Sequence, residues 1–407
     1  VVGEIFDAHA RQPLHELAGI RVGDGAELVG GDHAALAERH ALYATEGKGT
    51  SYAQTDAALT ALKKTPEYEW LAEVSSVPLQ QTLRHQHNAY QAFFAKRARY
   101  PRFKSRNGKQ SASYARSGFR MKSGALWLAK TSEALRFVWS WPDIDVSTLD
   151  PSMVTVSRAP DGRWFVAFAV DAEMPALAAE TGESVGVDLG LKDFAVLSTG
   201  ERLAHPRHMD KHERRLKHYQ RILARKQRGS QNRKKAKTKV ARQHSRVADA
   251  RRDFLHKAST DLVQRFDVIA IEDLAVSNMV RNRSLAKSIS RTGWSAFRLM
   301  LGYKAQIAGR RIAVVDRWYP SSKTCSACGH LLAALSLGTR RWTCPGCGTL
   351  HDRDINAAKN ILAAGLAVLP DTSGDACGGG VRRSGATLAQ SPVKQETRPA
   401  REGIPRL

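Results

Sequence analysis

The spacing of apolar residues changes several times along the chain. From about Asp32 to Arg97 apolar positions recur at helical intervals. Leu79, Leu83, Tyr90, Phe93 and Phe94 follow roughly one face, with Pro78 near that helix's start. Between residues 110 and 175 the segments SGALWLA and GRWFVAFAV alternate, which predicts short antiparallel strands in a sheet or small barrel. At Glu183 a new regime begins, and ESVGVDLGLKDFAVLSTG reads as strand, tight turn, strand. A highly charged, helix-compatible run follows, broken near Gly229 and Ser230. Then come a compact buried strand (DVIAIEDL), a long helix (WSAFRLMLGYKAQIAG) and another strand (RIAVVDRW). Past Leu369 the composition turns to Gly, Ser, Thr and Arg, so a mostly disordered tail is expected over 370–407.

Charge sharpens this picture. Lys and Arg number 63 against 39 Asp and Glu, a net +24 in 407 residues, which is room for two or three domains. Such an excess favours a polyanionic partner, because neutralising phosphates releases counterions. Fifteen Lys or Arg and only two acids lie between Lys211 and Ala250. Like charges at that density repel one another unless an anion lies among them. A second basic stretch, FFAKRARYPRFKSRNGK, interleaves aromatics with seven Lys or Arg, a mixture suited to phosphates and stacked bases and equally to a basic linker. Candidate nucleic-acid contacts are Arg102 and Lys104 there, and Arg225, Lys226, Arg233, Lys234 and Lys235 in the first run. Residues 1–40 differ, with seven acids against three arginines and Gly-rich turns. The chain begins at Val1, for which an alternative start codon or a shifted frame is the expectation.

No apolar stretch approaches the ~18–20 residues needed to span a bilayer, and the first residues lack a signal peptide's layout. Four of five cysteines have metal-type spacing and Cys377 stands alone, so a disulfide framework is not expected and a reducing, cytoplasmic setting is.

Cys325-x2-Cys328, fifteen residues, then Cys344-x2-Cys347 predicts one zinc ion held by four thiolates, with no coordination position left open and hence a structural role. Three acids stand out as well. Asp188 lies between Gly186 and Gly190 on one strand face, Glu272 ends an apolar strand, and Asp354 opens a helix with Asp352 near its N-cap. Each alone reads more readily as structural. Together, two strand-borne acids and one helix-start acid are what a two-Mg²⁺ phosphodiester site requires, since hard cations need oxygen ligands. The order strand Asp, strand Glu, helix Asp fits an RNase H-like fold.

The blocks GVDLGLKDFAVLSTG, IEDLAVSNM with SISRTGW, YPSSKTCSACG, RRWTCPGCG and HDRDINAAKNIL resemble the TnpB proteins of insertion elements and the related compact type V CRISPR nucleases. Upstream, EGKGTSYAQT and YPRFKSR do too, so the resemblance runs from about Asp32 to Leu369. It implies a multidomain α/β and α+β chain in which a small β-barrel, interrupted by a helical recognition domain, precedes a RuvC nuclease with an inserted zinc ribbon. The expected divisions are an atypical segment (1–31), helical domain (32–100), barrel (101–180), a first RuvC segment (181–320) with a basic hairpin (206–258), ribbon (321–350) and a second RuvC segment (351–369). The implied activity is RNA-guided, Mg²⁺-dependent DNA cleavage, with a guide RNA from the transposon end and target DNA as partners; a monomer is the expectation. Asp188, Glu272 and Asp354 would be the metal-binding trio, and Arg340, ahead of the second cysteine pair, would assist the scissile phosphate. Residues 1–30 lack the family's basic opening strand, so they are expected to dock poorly or stay irregular. That departure supports the rival reading, a non-catalytic or decayed nucleic-acid-binding protein.

Overall fold

A computed structural model describes the backbone of residues 3–10 and, apart from short gaps, residues 37–369; the gaps are 103–109, 142–143, 172–176, 207, 337 and single positions between 38 and 48. Lys104, Cys377 and the expected disordered tail lie outside the described residues.

Helix α1 (Tyr52–Leu62) starts at a reciprocal capping box. Gln54 N–H donates to Ser51 Oγ at 3.3 Å, and Ser51 N–H donates to Gln54 Oε1 at 2.8 Å. A short 3-10 helix (Pro66–Ala72) leads to α2 (Ser76–Phe94), capped by Ser75. Leu59, Leu71, Leu79 and Leu83 close a small core between them. The expected apolar face of α2 breaks down at its end, where Phe94 is 65% exposed. With 19 residues against 11 in α1, the last turns of α2 outrun that core.

The first sheet is antiparallel, in the order β2 (Gln110–Ala115), β6 (Pro151–Arg158), β7 (Trp164–Asp171), β1 (Gly3–Ala10), β5 (Phe137–Val138). Alternation along β7 buries Val166, Phe168 and Val170. A hairpin of β3 (Phe119–Lys122) and β4 (Ala125–Leu128) packs on the same core. Among the described residues no strand pair joins β2 to β5, so the pairings leave an open sheet.

Residues 3–10 overturn the expectation of an irregular N-terminus: β1 pairs with β7 from Gly3↔Asp171 to Ala10↔Trp164. Strand pairing is made by backbone groups, which are indifferent to the segment's net charge. Without β1, one whole edge of β7 would present a row of unpaired N–H and C=O groups.

The second sheet runs β10 (Arg202–Ala204), β9 (Asp193–Leu197), β8 (Ser184–Leu189), β11 (Val268–Glu272), β12 (Arg311–Val315). β8, β11 and β12 are parallel; β9 runs antiparallel to β8, and β10, antiparallel to β9, returns to the direction of β8. Between β10 and β11 the basic run forms a hairpin of α3 (His208–Ala224) and α4 (Gln231–Arg265), with Ser230 accepting from Arg233 N–H as N-cap. A short helix α5 (Val276–Met279), α6 (Ala286–Thr292) and α7 (Trp294–Ala308) follow. Val185, Val187, Ile269 and Ile271 face Leu255 and Leu262 of α4 and Phe297 and Leu301 of α7, all at most 1% exposed. Burying each such side chain contributes about 1.5–3 kcal/mol.

The opposite face carries α8 (Arg353–Val368), pressed close by two glycines. A Cβ on Gly186 would lie 2.0 Å from Ala358 O, and one on Gly365 would lie 2.5 Å from Ala270 Cβ. Between β12 and α8 stands the cysteine-rich insertion, whose hairpin β13 (Arg341–Thr343) and β14 (Leu350–Asp352) ends directly at the start of α8.

Candidate active site

Contact between Gly186 and Ala358 sets the register that assembles the site. Two residues further along β8 advance about 6.6 Å, and four residues back along α8 retreat about 6 Å. Asp188 therefore meets Asp354 at the helix start. Gly186 thus serves helix packing. Glu272 ends the adjacent strand β11, opposite Val315 of β12. Burial first, then the nearby charges of Glu272 and Asp354, push the Asp188 carboxyl up to about 7. Burial also raises Glu272, opposed by a hydrogen bond that Ser321 Oγ donates to its Oε1 at 2.6 Å.

The helix start is held from several sides. Asp352 Oδ1 accepts from the N–H groups of Asp354 and Ile355 at 3.1 and 3.2 Å, which makes Asp352 the N-cap. Arg340 Nη1 lies 3.5 Å from Asp354 Oδ1, so this arginine reaches the site. Sequence reasoning missed Arg202 of β10, which donates to Asp193 and Asp352 at 2.9 Å each and stands 3.7 Å from Asp354. Nothing in its local pattern marks it, because its partners come from other strands.

It also missed two buried asparagines. Asn356 and Asn360, one turn apart on α8, donate from Nδ2 to Thr324 O at 2.7 and 2.6 Å and to Ser321 O at 3.4 and 2.7 Å. Asn356 Oδ1 accepts from Ser326 N–H at 2.9 Å. This clamp fixes the loop carrying Ser321, and through Ser321 it fixes Glu272. The i, i+4 repeat of Asn among the small and apolar residues of this helix was the available signal.

The four cysteines lie side by side, with all ligand atoms within 4.8 Å of one another. Cys325 and Cys347 sulfurs are 3.7 Å apart, and Cys328 and Cys344 sulfurs 3.6 Å. A tetrahedron with metal–sulfur bonds of about 2.3 Å has edges near 3.8 Å, so the donor set fits zinc. Each knuckle closes on a glycine at positive φ, Gly329 at 77° and Gly348 at 71°. Hydrogen bonds to Thr349 pull the Cys347 thiol down to about 6, favouring the thiolate that binds metal. His351 Nε2 lies 3.0 Å from Cys325 Sγ, beneath Trp342.

Of the nucleic-acid candidates, Arg102, Arg225, Lys226, Lys234 and Lys235 are exposed. Arg233 is turned inward: its Nη1 donates to Leu223 O and Lys226 O at 3.0 and 2.8 Å, tying off the end of α3. Leu223 O also accepts from Lys226 N–H at 3.2 Å, so the guanidinium adds to the bonds that close the end of α3.

Comparison with known proteins bears on this arrangement. A family described as "Probable transposase" matches residues 167–283, and the Cas12f1-like TNB domain matches 294–361. A Streptomyces pristinaespiralis protein named "Putative RNA-guided DNA endonuclease" is 48% identical, over 92% of this chain and 91% of its own length. InsQ of Escherichia coli K12, which has the same descriptive name, is 34% identical over 88% of this chain and 90% of its own. The chain belongs to the TnpB family. A structure titled as a Cas12f1–sgRNA–target DNA complex shares the fold, with TM-score 0.52 at 14% identity over 84% of this chain and 82% of that one. The TnpB relationship spans the ribbon and the whole of the second sheet together. Among the described residues no helix is long and apolar enough to cross a membrane.

Proposed function

We propose that this protein is a transposon-associated, RNA-guided DNA endonuclease that hydrolyses phosphodiester bonds at Asp188, Glu272 and Asp354. The observation that carries the reading is the convergence of these three carboxylates from β8, β11 and α8 at one end of the second sheet. The sheet order, with its second strand antiparallel between the first and third and a helix across the parallel half, supports an RNase H-like, RuvC-type nuclease. The open first sheet takes the place of the family's barrel, and the cysteine hairpin that of its zinc ribbon. The family relationship supports a guide RNA from the transposon end and target DNA as partners.

Hard oxygen donors that repel one another fit divalent cations such as Mg²⁺, and two such ions, when bound, supply an activated water and stabilise the leaving oxygen. Asp188 and Glu272 would hold them from the strand ends, and Asp354 from the helix start. Ser321 keeps Glu272 oriented in the absence of substrate, and Asp352 fixes the helix end that presents Asp354. Arg340, half-exposed beside Asp354, is placed to meet an incoming phosphate.

The test is cleavage of DNA matching the RNA that copurifies with the full chain, in Mg²⁺. Asp188→Ala should abolish cutting and leave RNA retention unchanged. Cutting by that variant, or no cutting by the wild type, would overturn the assignment.

A further inference from the structure

One cavity lies far from the carboxylates in sequence and takes no part in their chemistry. It measures about 280 Å³ and is lined by Arg39, Thr50, Tyr90, Phe93, Phe94 and Tyr100, among others. That volume is near the lower limit of small-ligand sites, about 300–1,000 Å³. Its walls are aromatic. Tyr100 meets Tyr90 and Phe93 edge-on, with centroids 5.7 and 5.1 Å apart, and the Arg39 guanidinium lies 5.3 Å from the Tyr90 centroid. Phe94 is 65% and Tyr100 44% exposed. The Thr50 hydroxyl is buried and has no hydrogen-bond partner among the described residues. Gln91 and His87 add further polar edges.

We propose that this pocket takes one unpaired base of the guide RNA, stacked on Phe94 and Tyr100, with its edge toward Thr50. The inference rests on the RNA-guided reading for the identity of the strand. Charge selects a nucleic acid over an apolar peptide: Lys96, Arg97, Arg99 and Arg102 stand exposed at the end of α2, with no acid between Gln91 and Arg102. Backbone phosphates on those cations leave a base free to turn into the aromatic cavity. RNA is favoured over target DNA because a guide carries loops and bulges with unstacked bases, whereas DNA in a duplex or heteroduplex keeps its bases stacked. The aromatic and basic residues that alternate in FFAKRARYPR are thereby divided between stacking and phosphate contact.

The probe is a short single-stranded RNA containing one 2-aminopurine, titrated into the full chain and compared with the same sequence as DNA and as duplex RNA. Wild type should quench the fluorescence of the single-stranded RNA and not of the duplex. Phe94→Ala should bind about tenfold more weakly, the scale of one base–aromatic stack. Phe94→Trp should restore binding, and an unchanged melting temperature in both variants would show that folding is intact. Thr50→Val should change which base is preferred. Equal affinity of Phe94→Ala and wild type would overturn the proposal. So would equal or tighter binding of the DNA, or self-association that Phe94→Ala abolishes, which would make a second copy the occupant. Cleavage with copurified RNA is read separately. If it persists while quenching fails, only this pocket assignment falls; if quenching persists without any cleavage, only the nuclease reading falls.

Discussion

The four cysteines of the ribbon hold their donor atoms within 4.8 Å of one another and come from two local turns, whereas Asp188, Glu272 and Asp354 come from three separate elements with Arg202, Arg340 and Ser321 beside them. The cysteine site is made by two local turns whose geometry belongs to the CxxCG segments themselves. The carboxylate site is made by packing: Gly186 against Ala358 sets its register, and the asparagine clamp sets the loop behind Glu272. A closed thiolate cage suits a metal that stays. An open carboxylate cluster, partly neutralised by arginines, suits metals that arrive with substrate.

Cys344→Ser breaks the first site and has the largest expected effect. The ribbon's own core is little more than Cys325, Trp342, Cys344 and two leucines, so its folding should depend on a metal held by the cysteines. Structural zinc sites contribute about 10–16 kcal/mol in small peptides. Elemental analysis should fall from about one zinc per chain, and limited proteolysis should cut within 325–350. Full zinc retention would remove the assignment.

Gly186→Ala attacks the second site through packing alone. Its Cβ would sit 2.0 Å from a backbone oxygen and 2.7 Å from Leu362 N, so α8 must lift. A loss of about 3 kcal/mol and of cleavage is expected, with zinc retained. Gly302→Ala on α7, where nothing lies within 4 Å, is the control and should stabilise by up to about 1 kcal/mol. Equal melting temperatures for the two variants would refute the close-packing account.

The carboxylates should also leave a mark on stability versus pH. With Asp188 raised to about 7, the metal-free folded chain binds its proton across the range where the unfolded chain, with an ordinary Asp near pKa 3.9, has released it. More protons bound in the native state means that stability falls as pH rises from about 4 to 7. Asp188→Asn should flatten that slope in chelator, and Mg²⁺ should stabilise wild type at the upper end. Thermal melts across this range decide the point, and an unchanged slope in the variant would contradict the clustering.

Arg202→Ala should act least. Its partly exposed pairs are worth about 0–1 kcal/mol, so melting should barely move. Because the guanidinium competes with cations for Asp354, the Mg²⁺ concentration for half-maximal cleavage should fall, by no more than about fivefold. A rise would show that Arg202 positions the carboxylates rather than screening them.

The segments whose meaning is carried by neighbours along the chain were legible in the sequence alone. CxxCG turns, the Asp352 cap and the Ser230 break between basic helices need only a few consecutive residues, because turns and caps are satisfied within a turn of chain. The short apolar run in DVIAIEDL and the Gly-flanked Asp188 likewise pointed to strands carrying acids. Other features depended on partners far along the chain. The acidic Gly3–Ala10 became a strand because β7 offered it a backbone edge, and Arg233 folded inward because α3 ended beside it. Phe94 stayed in solvent because α1 is too short to cover it, and Arg202, Asn356 and Asn360 gained their roles only once strands and ribbon were brought to α8. Local hydrogen bonding and periodicity are properties of the chain itself. Which charges and amides meet at the site is decided by tertiary packing, since the contact of Gly186 with Ala358 joins residues whose order along the chain carries no trace of it.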